Sequence, residues 1–212
     1  FMSIKPGTAT PVPTSPSGPI CARTSGNATI SLIAAFSWET ISFGVFAGAT
    51  IICQESPSKP GVIWIGTDDG NLQVSQDGGT TFTNVFGNIP GANAMKSVGG
   101  GSGAYVQVSR IEPSHFDPAT AYVALDGHRH NDLKPYIFKT TDYGKTWTAV
   151  SGDLPSFGNV NAIRQDPVNK NLLFAPTELG FYISLNDGKN WHKFMPNLPT
   201  GRTDEVLVHP RE

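Results

Sequence analysis

Apolar and polar positions alternate along this chain in short runs, each ending at a turn signal. The first runs of successive units close on an x-Pro pair: Thr50–Gln54 before Ser56-Pro57, Val106–Ile111 before Glu112-Pro113, Val160–Gln165 before Asp166-Pro167, and Glu205–Val208 before His209-Pro210. Second runs follow at Val62–Gly66, Ala121–Leu125 and Leu172–Ala175, and third runs at Asn71–Val74, Tyr136–Lys139 and Phe181–Ile183. Runs of this length, rich in β-branched and aromatic residues and bounded by Gly, Pro, Asn and Asp, predict β-strands.

One octapeptide punctuates the pattern. It reads Thr140-Thr141-Asp142-Tyr143-Gly144-Lys145-Thr146-Trp147, and it returns at Ser75–Phe82 and Ser184–Trp191. In each copy the first residue and the closing aromatic stand seven apart (147−140, 82−75, 191−184). Asp77, Asp142 and Asn186 accept hydrogen bonds from nearby backbone N–H groups and fix a turn. Gly79, Gly144 and Gly188 take the positive φ such a turn demands. Phe82, Trp147 and Trp191 open the fourth strand and supply an apolar face to bury. Four strands per repeat at around 40 residues is the period of a β-propeller, so the fold expected is all-β, a propeller or an arc of one built from four-stranded antiparallel blades.

These octapeptides resemble the Asp-box, or BNR, repeat of sialidases, xyloglucan-cleaving glycosidases, sortilin-type receptors and large secreted bacterial propeller proteins. The likeness runs from about Ala49 onward and is nearest to the last group through Val62–Gly70 and Tyr136–Asp142. In this family, the resemblance implies, the boxes are structural: Ser75, Asp77, Gly79, Phe82, Thr140, Asp142, Gly144, Trp147, Ser184, Asn186, Gly188 and Trp191 hold turns and packing, and chemistry comes from elsewhere. The resemblance also implies a secreted, periplasmic or cell-surface protein.

The domain reading is a Pro/Ser/Thr-rich arm over 1–27, then blades over 28–212: a partial blade at 28–46, blades at about 49–86, 105–151 and 160–195, and a new strand starting at 203–212. Ser31 lies 44 residues before Ser75 (75−31), as Thr140 lies 44 before Ser184 (184−140), which hints at an eroded box ending at Trp38. The spacing of 65 from Ser75 to Thr140 (140−75) implies two enlarged loops, Gly91–Ala104 and Gly127–Pro135. The first residue, Phe1, and the terminal strand-like run suggest a piece of a longer protein.

Composition narrows the function classes. Formal net charge is −2, which gives no basic footprint for nucleic acid. The apolar stretch from Ala28 to Cys53 carries Glu39 and reads as strands, not a membrane span. No basic segment precedes it as in a signal peptide. The two cysteines, Cys21 and Cys53, allow one disulfide without requiring it.

Strand direction sorts the loops onto two faces. The octapeptides share one face with the x-Pro turns. The other carries Asp68-Asp69-Gly70, Asp126–Asp132 and Glu178-Leu179-Gly180. Polar loops on a rigid scaffold are where function concentrates, so this is the candidate face. Asp68, Asp126, Asp132 and Glu178 are the candidates for the two carboxylates that glycoside hydrolysis needs. Asp69, His128, Arg129 and His130 are candidate binding residues. His128 and His130 with Asp126 and Asp132 could in principle ligate a metal, but His-x-His on a loop is a weak signal, and the expectation is no metal and no cofactor. Arg110, Arg129, Arg164 and Arg202 are scattered over different strands and loops, unlike the arginine cluster of sialidases. Two functions stay open: a scaffold binding a protein or glycan through this face, and part of a glycoside hydrolase using its carboxylates.

Overall fold

A computed structural model describes residues 51–95, 106–194 and 201–208. The expectations for 1–27 and 28–46, and the glycine run 99–103, lie outside the described residues.

Among the described residues, twelve strands form three four-stranded antiparallel sheets. The first contains β1 (Ile51–Glu55), β2 (Ile63–Thr67), β3 (Leu72–Ser75) and β4 (Thr83–Asn84). The second contains β5 (Gln107–Pro113), β6 (Ala121–Gly127), β7 (Asp132–Thr140) and β8 (Thr148–Ala149). The third contains β9 (Arg164–Gln165), β10 (Leu173–Thr177), β11 (Gly180–Ser184) and β12 (His192–Lys193). Each is an up-and-down meander in chain order, the architecture of propeller blades. All residues of β2 and β6 are buried, as central strands sandwiched between blades require, whereas β4, β8 and β12 are exposed and form the outer edge.

Blades pack through alternate faces of their strands. Trp64, Leu72 and Val74 of the first blade meet Val123, Phe138 and Trp147 of the second in one core cluster, where the Trp64 and Trp147 rings cross edge to face at 6.1 Å. The opposite face of the second blade, through Tyr122, Ala124 and Ile137, meets Leu173, Ala175, Tyr182 and Trp191 of the third in a separate cluster. Strand periodicity of two is what lets β6 serve both.

The octapeptides have one geometry three times over. Ser75 Oγ accepts the Gly79 N–H at 2.8 Å, Thr140 Oγ1 accepts that of Gly144 at 2.9 Å, and Ser184 Oγ that of Gly188 at 2.8 Å. Asp77 Oδ1, Asp142 Oδ1 and Asn186 Oδ1 each accept a backbone N–H four residues on at 2.9 Å. Gly79, Gly144 and Gly188 have φ near +80° to +88°. The preceding positions are also left-handed: Gly78, but also Tyr143 at φ 58° and Asp187 at φ 62°, which no sequence signal marked. Trp147 and Trp191 are buried, and Phe82 is half-buried.

These turns make stability pH-dependent. Hydrogen bonds from Thr81, then Ser75, pull the Asp77 carboxyl from its ordinary 3.8 to about 2, and those from Thr146, then Thr140, lower Asp142. A depressed folded-state pKa stabilises above the unfolded value and is lost as pH falls through the folded one. The denaturation midpoint is therefore expected to drop between pH 4 and 2. Asp77→Asn/Asp142→Asn, which copies the neutral Asn186 turn, is expected to flatten that drop in denaturant titrations across this range. An unchanged slope would remove these carboxyls from the acid response.

Two strand expectations and one loop expectation need correction. Val160–Gln165 pairs regularly only at β9; Pro176 opposite has no N–H to donate, leaving an isolated Val160–Thr177 bridge and one bond from the Asn161 N–H to Pro176 O at 2.9 Å. Residues 205–208 form no strand, since no second strand stands beside them among the described residues. Gly127–Pro135 is not an enlarged loop: β6 runs to Gly127, a single 3-10 turn spans His128–His130, Asn131 closes it at φ 60°, and β7 starts at Asp132. Cys53 is disulfide-bonded.

Candidate functional site

The end of β6 carries Asp126 into the seam between the second and third blades, where it is buried at 7% exposure. Its carboxylate is held by several donors. His128 donates its backbone N–H to Oδ1 at 2.9 Å, and its Nδ1 lies 2.6 Å from Oδ2. Gln107 Nε2 donates to Oδ2 at 3.1 Å, and Asn159 Nδ2 donates to Oδ1. A carboxylate enclosed by donors in this way is a fixed anionic acceptor.

Asn159 joins Asp126 to the third blade. It is fully buried, and its backbone oxygen accepts the Glu178 N–H at 3.2 Å. Glu178 lies in the β10–β11 turn, where Thr177 Oγ1 donates to Gly180 O at 2.8 Å and accepts the Leu179 N–H at 3.2 Å. Arg202 Nη1 reaches Glu178 Oε1 at 3.4 Å and also donates through Nε to Asp204. Asp204, then Glu178 and Asp126, hold the Arg202 guanidinium above its usual pKa. Glu178 and Asp204 thus flank one cation.

The other candidates extend this rim toward the first blade. Arg129 Nη1 lies 3.7 Å from Asp68 Oδ2, an exposed contact between the β6–β7 and β2–β3 turns. Asp69 accepts from Thr67 Oγ1 and from Asn71 Nδ2, and so organises its own turn. Asp132 Oδ2 accepts the Tyr136 hydroxyl at 2.7 Å within β7. His130 is exposed on the 3-10 turn. Among the described residues no group of three or more His, Cys, Asp or Glu side chains is placed to hold a metal ion.

Sequence reasoning missed Gln107, Asn159 and Asp204. The signal for Asn159 was Gly158-Asn159-Val160-Asn161, two amides in the otherwise apolar run from Phe157 to Ile163. The arginines are not all scattered. Arg110 and Arg164, from the first strands of the second and third blades, converge on Glu205 Oε1 at 3.2 and 3.0 Å, and Arg164 also grips buried Glu112 at 2.8 Å. They lie in one plane of the fold because equivalent strands of successive blades lie side by side.

No protein-family model matches the chain. A 100-residue stretch is 36% identical to an oligoxyloglucan-reducing end-specific xyloglucanase of Emericella nidulans, covering 46% of this chain and 10% of that protein. A probable enzyme of the same description from Neosartorya fischeri is 25% identical over 155 residues, 70% of this chain and 17% of that one. The chain therefore spans between 10% and 17% of the length of these curated relatives. Among solved structures, an ancestral GH74 enzyme superposes with TM-score 0.51 at 20% identity over 69% of this chain and 18% of that one. The fold is that of β-propeller blades.

Proposed function

We propose that the chain is a section of a glycoside hydrolase-type β-propeller acting on xyloglucan or a related β-glucan, and that the rim from Asp68 through Asp126 to Glu178 is its glycan-facing surface. The single observation that carries this reading is the 36% identity to a xyloglucanase over 100 residues. The rim supports it chemically. Alternating carboxylates and guanidiniums, braced by amides, suit the paired donors and acceptors of sugar hydroxyls. The Cys53 disulfide fits the oxidising compartment outside the cytoplasm, where such polysaccharides are met.

Within the rim, Asp126 and Glu178 flank Asn159, and Glu178 is the more exposed of the two. Glu178 is the candidate catalytic carboxylate, paired with Arg202 as a base or nucleophile would be, and Asp126 is the fixed anion beside it. One observation favours a second reading, in which these blades bind glycan without cleaving it: Asp126 is already occupied by donors from Gln107, His128 and Asn159.

Affinity electrophoresis of the full chain through xyloglucan tests the reading, with dextran as control. Xyloglucan is expected to retard the chain, and Arg129→Ala, which removes an exposed guanidinium of the rim, to weaken retention about tenfold, the worth of one charge-assisted hydrogen bond. Equal migration in both gels would end the proposal. Release of reducing ends that vanishes in Glu178→Gln would assign hydrolysis; retardation without release would assign the binding reading.

A further inference from the structure

We propose that the cleft between the octapeptide ends of the second and third blades binds a carboxylate-bearing sugar unit, at a site separate from the rim. The cleft opens beside Lys139, near the far end of β7 from Asp132, roughly 23 Å away at the rise of a strand residue.

Repeat equivalence picks this place out. In the first seam Trp64 pairs with Val74, one residue before an octapeptide, and Tyr143 of the next blade packs against their cluster. In the second seam the same three positions hold Tyr122, Lys139 and Asp187. Tyr122 pairs with Lys139, again one residue before an octapeptide, and Tyr143 and Asp187 each stand three residues into theirs (143−140, 187−184). An apolar trio in one seam is thus a polar trio in the next. Tyr122 donates its hydroxyl to Asp187 Oδ1 at 2.7 Å, Lys139 Nζ donates to Asp187 Oδ2, and the ammonium lies 5.5 Å from the Tyr122 ring centroid. From behind, Gln165 Nε2 donates to the Tyr122 oxygen at 3.3 Å. A desolvated polar set of this kind at best matches the stability of its apolar equivalent, so packing does not account for the exchange. Its consequence is a fixed ammonium, with donors to spare, in the wall of a cleft.

The cleft holds about 430 Å³, within the range of small-molecule sites and over ten times the roughly 30 Å³ share of one water. Its walls are rich in donors. Lys139 uses one of its three ammonium donors on Asp187. The Thr141 and Thr148 hydroxyls and the Lys189 ammonium make no hydrogen bond or ion pair among the described residues. Asp187, the one carboxylate among the lining side chains, is already taken by Tyr122 and Lys139. The ligand that fits is rich in acceptors: a carboxylate for the ammonium groups and ring hydroxyls for the threonines. Ala149 and Val150 add an apolar patch on which the C–H face of a sugar ring can rest. A small inorganic anion would leave that patch and most of the volume unused. The inference does not rest on the xyloglucan reading, since the two sites lie at opposite ends of the blades.

Isothermal titration of the full chain with trigalacturonic acid tests it. Binding is expected, and Lys189→Gln, at an exposed side chain without a partner, is expected to weaken it about tenfold at an unchanged melting temperature, as loss of one charge-assisted hydrogen bond does. Tyr122→Trp/Lys139→Val/Asp187→Tyr, which installs the trio of the first seam, is expected to abolish it. Cellotriose is expected not to compete, whatever it does at the rim. No binding, binding that Lys189→Gln leaves untouched, or competition by cellotriose would overturn the proposal. Weakening by Arg129→Ala in place of Lys189→Gln would overturn it in favour of the rim. Displacement by acetate at equal concentration would overturn it in favour of a contact for any anion.

Discussion

Gly144→Val is expected to lower the melting temperature by about 4–20 °C. The residue sits at φ 80°, and a Cβ built there meets Val85 Cβ and Cγ2 at 2.9 Å. A left-handed conformation costs a residue with Cβ about 1–2 kcal/mol, and more for a β-branched one. Overpacking against a core neighbour adds about 1–3 kcal/mol. At roughly 2–4 °C per kcal/mol for a domain of this size, the sum gives the stated range. Val85 belongs to the cluster between the first and second blades, so the clash is felt at their interface. Gly78 is the control: its φ is 72°, yet nothing lies within 4 Å of its Cβ position. Gly78→Val should lose only the conformational part. Thermal melts of the two variants give the comparison. If they fall equally, the close approach of Val85 contributes nothing, and the turn alone sets the cost. Asp142→Ala, which removes the bonds to the Thr146 N–H and hydroxyl, is expected between the two.

Arg164→Ala is expected to destabilise by about 3–5 kcal/mol, the usual result of taking the cation away from a buried anion. Arg164 and Glu112 have side chains only 11% and 8% exposed, and their contact is 2.8 Å. The same guanidinium holds Glu205 through Nε at 3.1 Å and Nη2 at 3.0 Å. Its loss strands a buried carboxylate and releases the segment around Glu205 together. Arg164→Met/Glu112→Gln should recover much of the loss, because the charge left behind, not the missing bond, carries most of the penalty. Arg129→Ala, at the exposed 3.7 Å contact with Asp68, should change stability by less than about 1 kcal/mol. Denaturant titration of the four proteins separates these outcomes. A single-variant cost below that of Arg129→Ala would mean that the inner-strand pair is solvated.

The blades were legible because their turns are local. Ser75 reaches the Gly79 N–H, and Asp77 the Thr81 N–H, within one octapeptide, so repeat spacing carries the whole interaction. Tyr143 shows the limit of that reading, since its left-handed backbone is imposed by the turn and not favoured by its residue type, whereas Asp187 belongs to a type that tolerates it. The rim was half legible. Asp126, His128, Arg129 and Glu178 stood out as polar residues in hairpin turns. What joins them did not, because Gln107 and Asn159 approach Asp126 from 19 and 33 residues away. Arg110, Arg164 and Glu205 were opaque for the same reason: their meeting depends on how blades stand side by side, which no spacing along the chain encodes. Pro176 was visible as a residue, but its effect on β9 appears only once the two strands are opposite each other.

The two core clusters are separate, one in each seam, with β6 lending a face to both. Each blade then communicates only with its neighbours, as units do in a one-dimensional array. Loss of order in such an array begins at an end and travels inward seam by seam. The first and third blades, each with one seam among the described residues, are where that fraying starts, and the chain as a whole need not melt as a single cooperative unit.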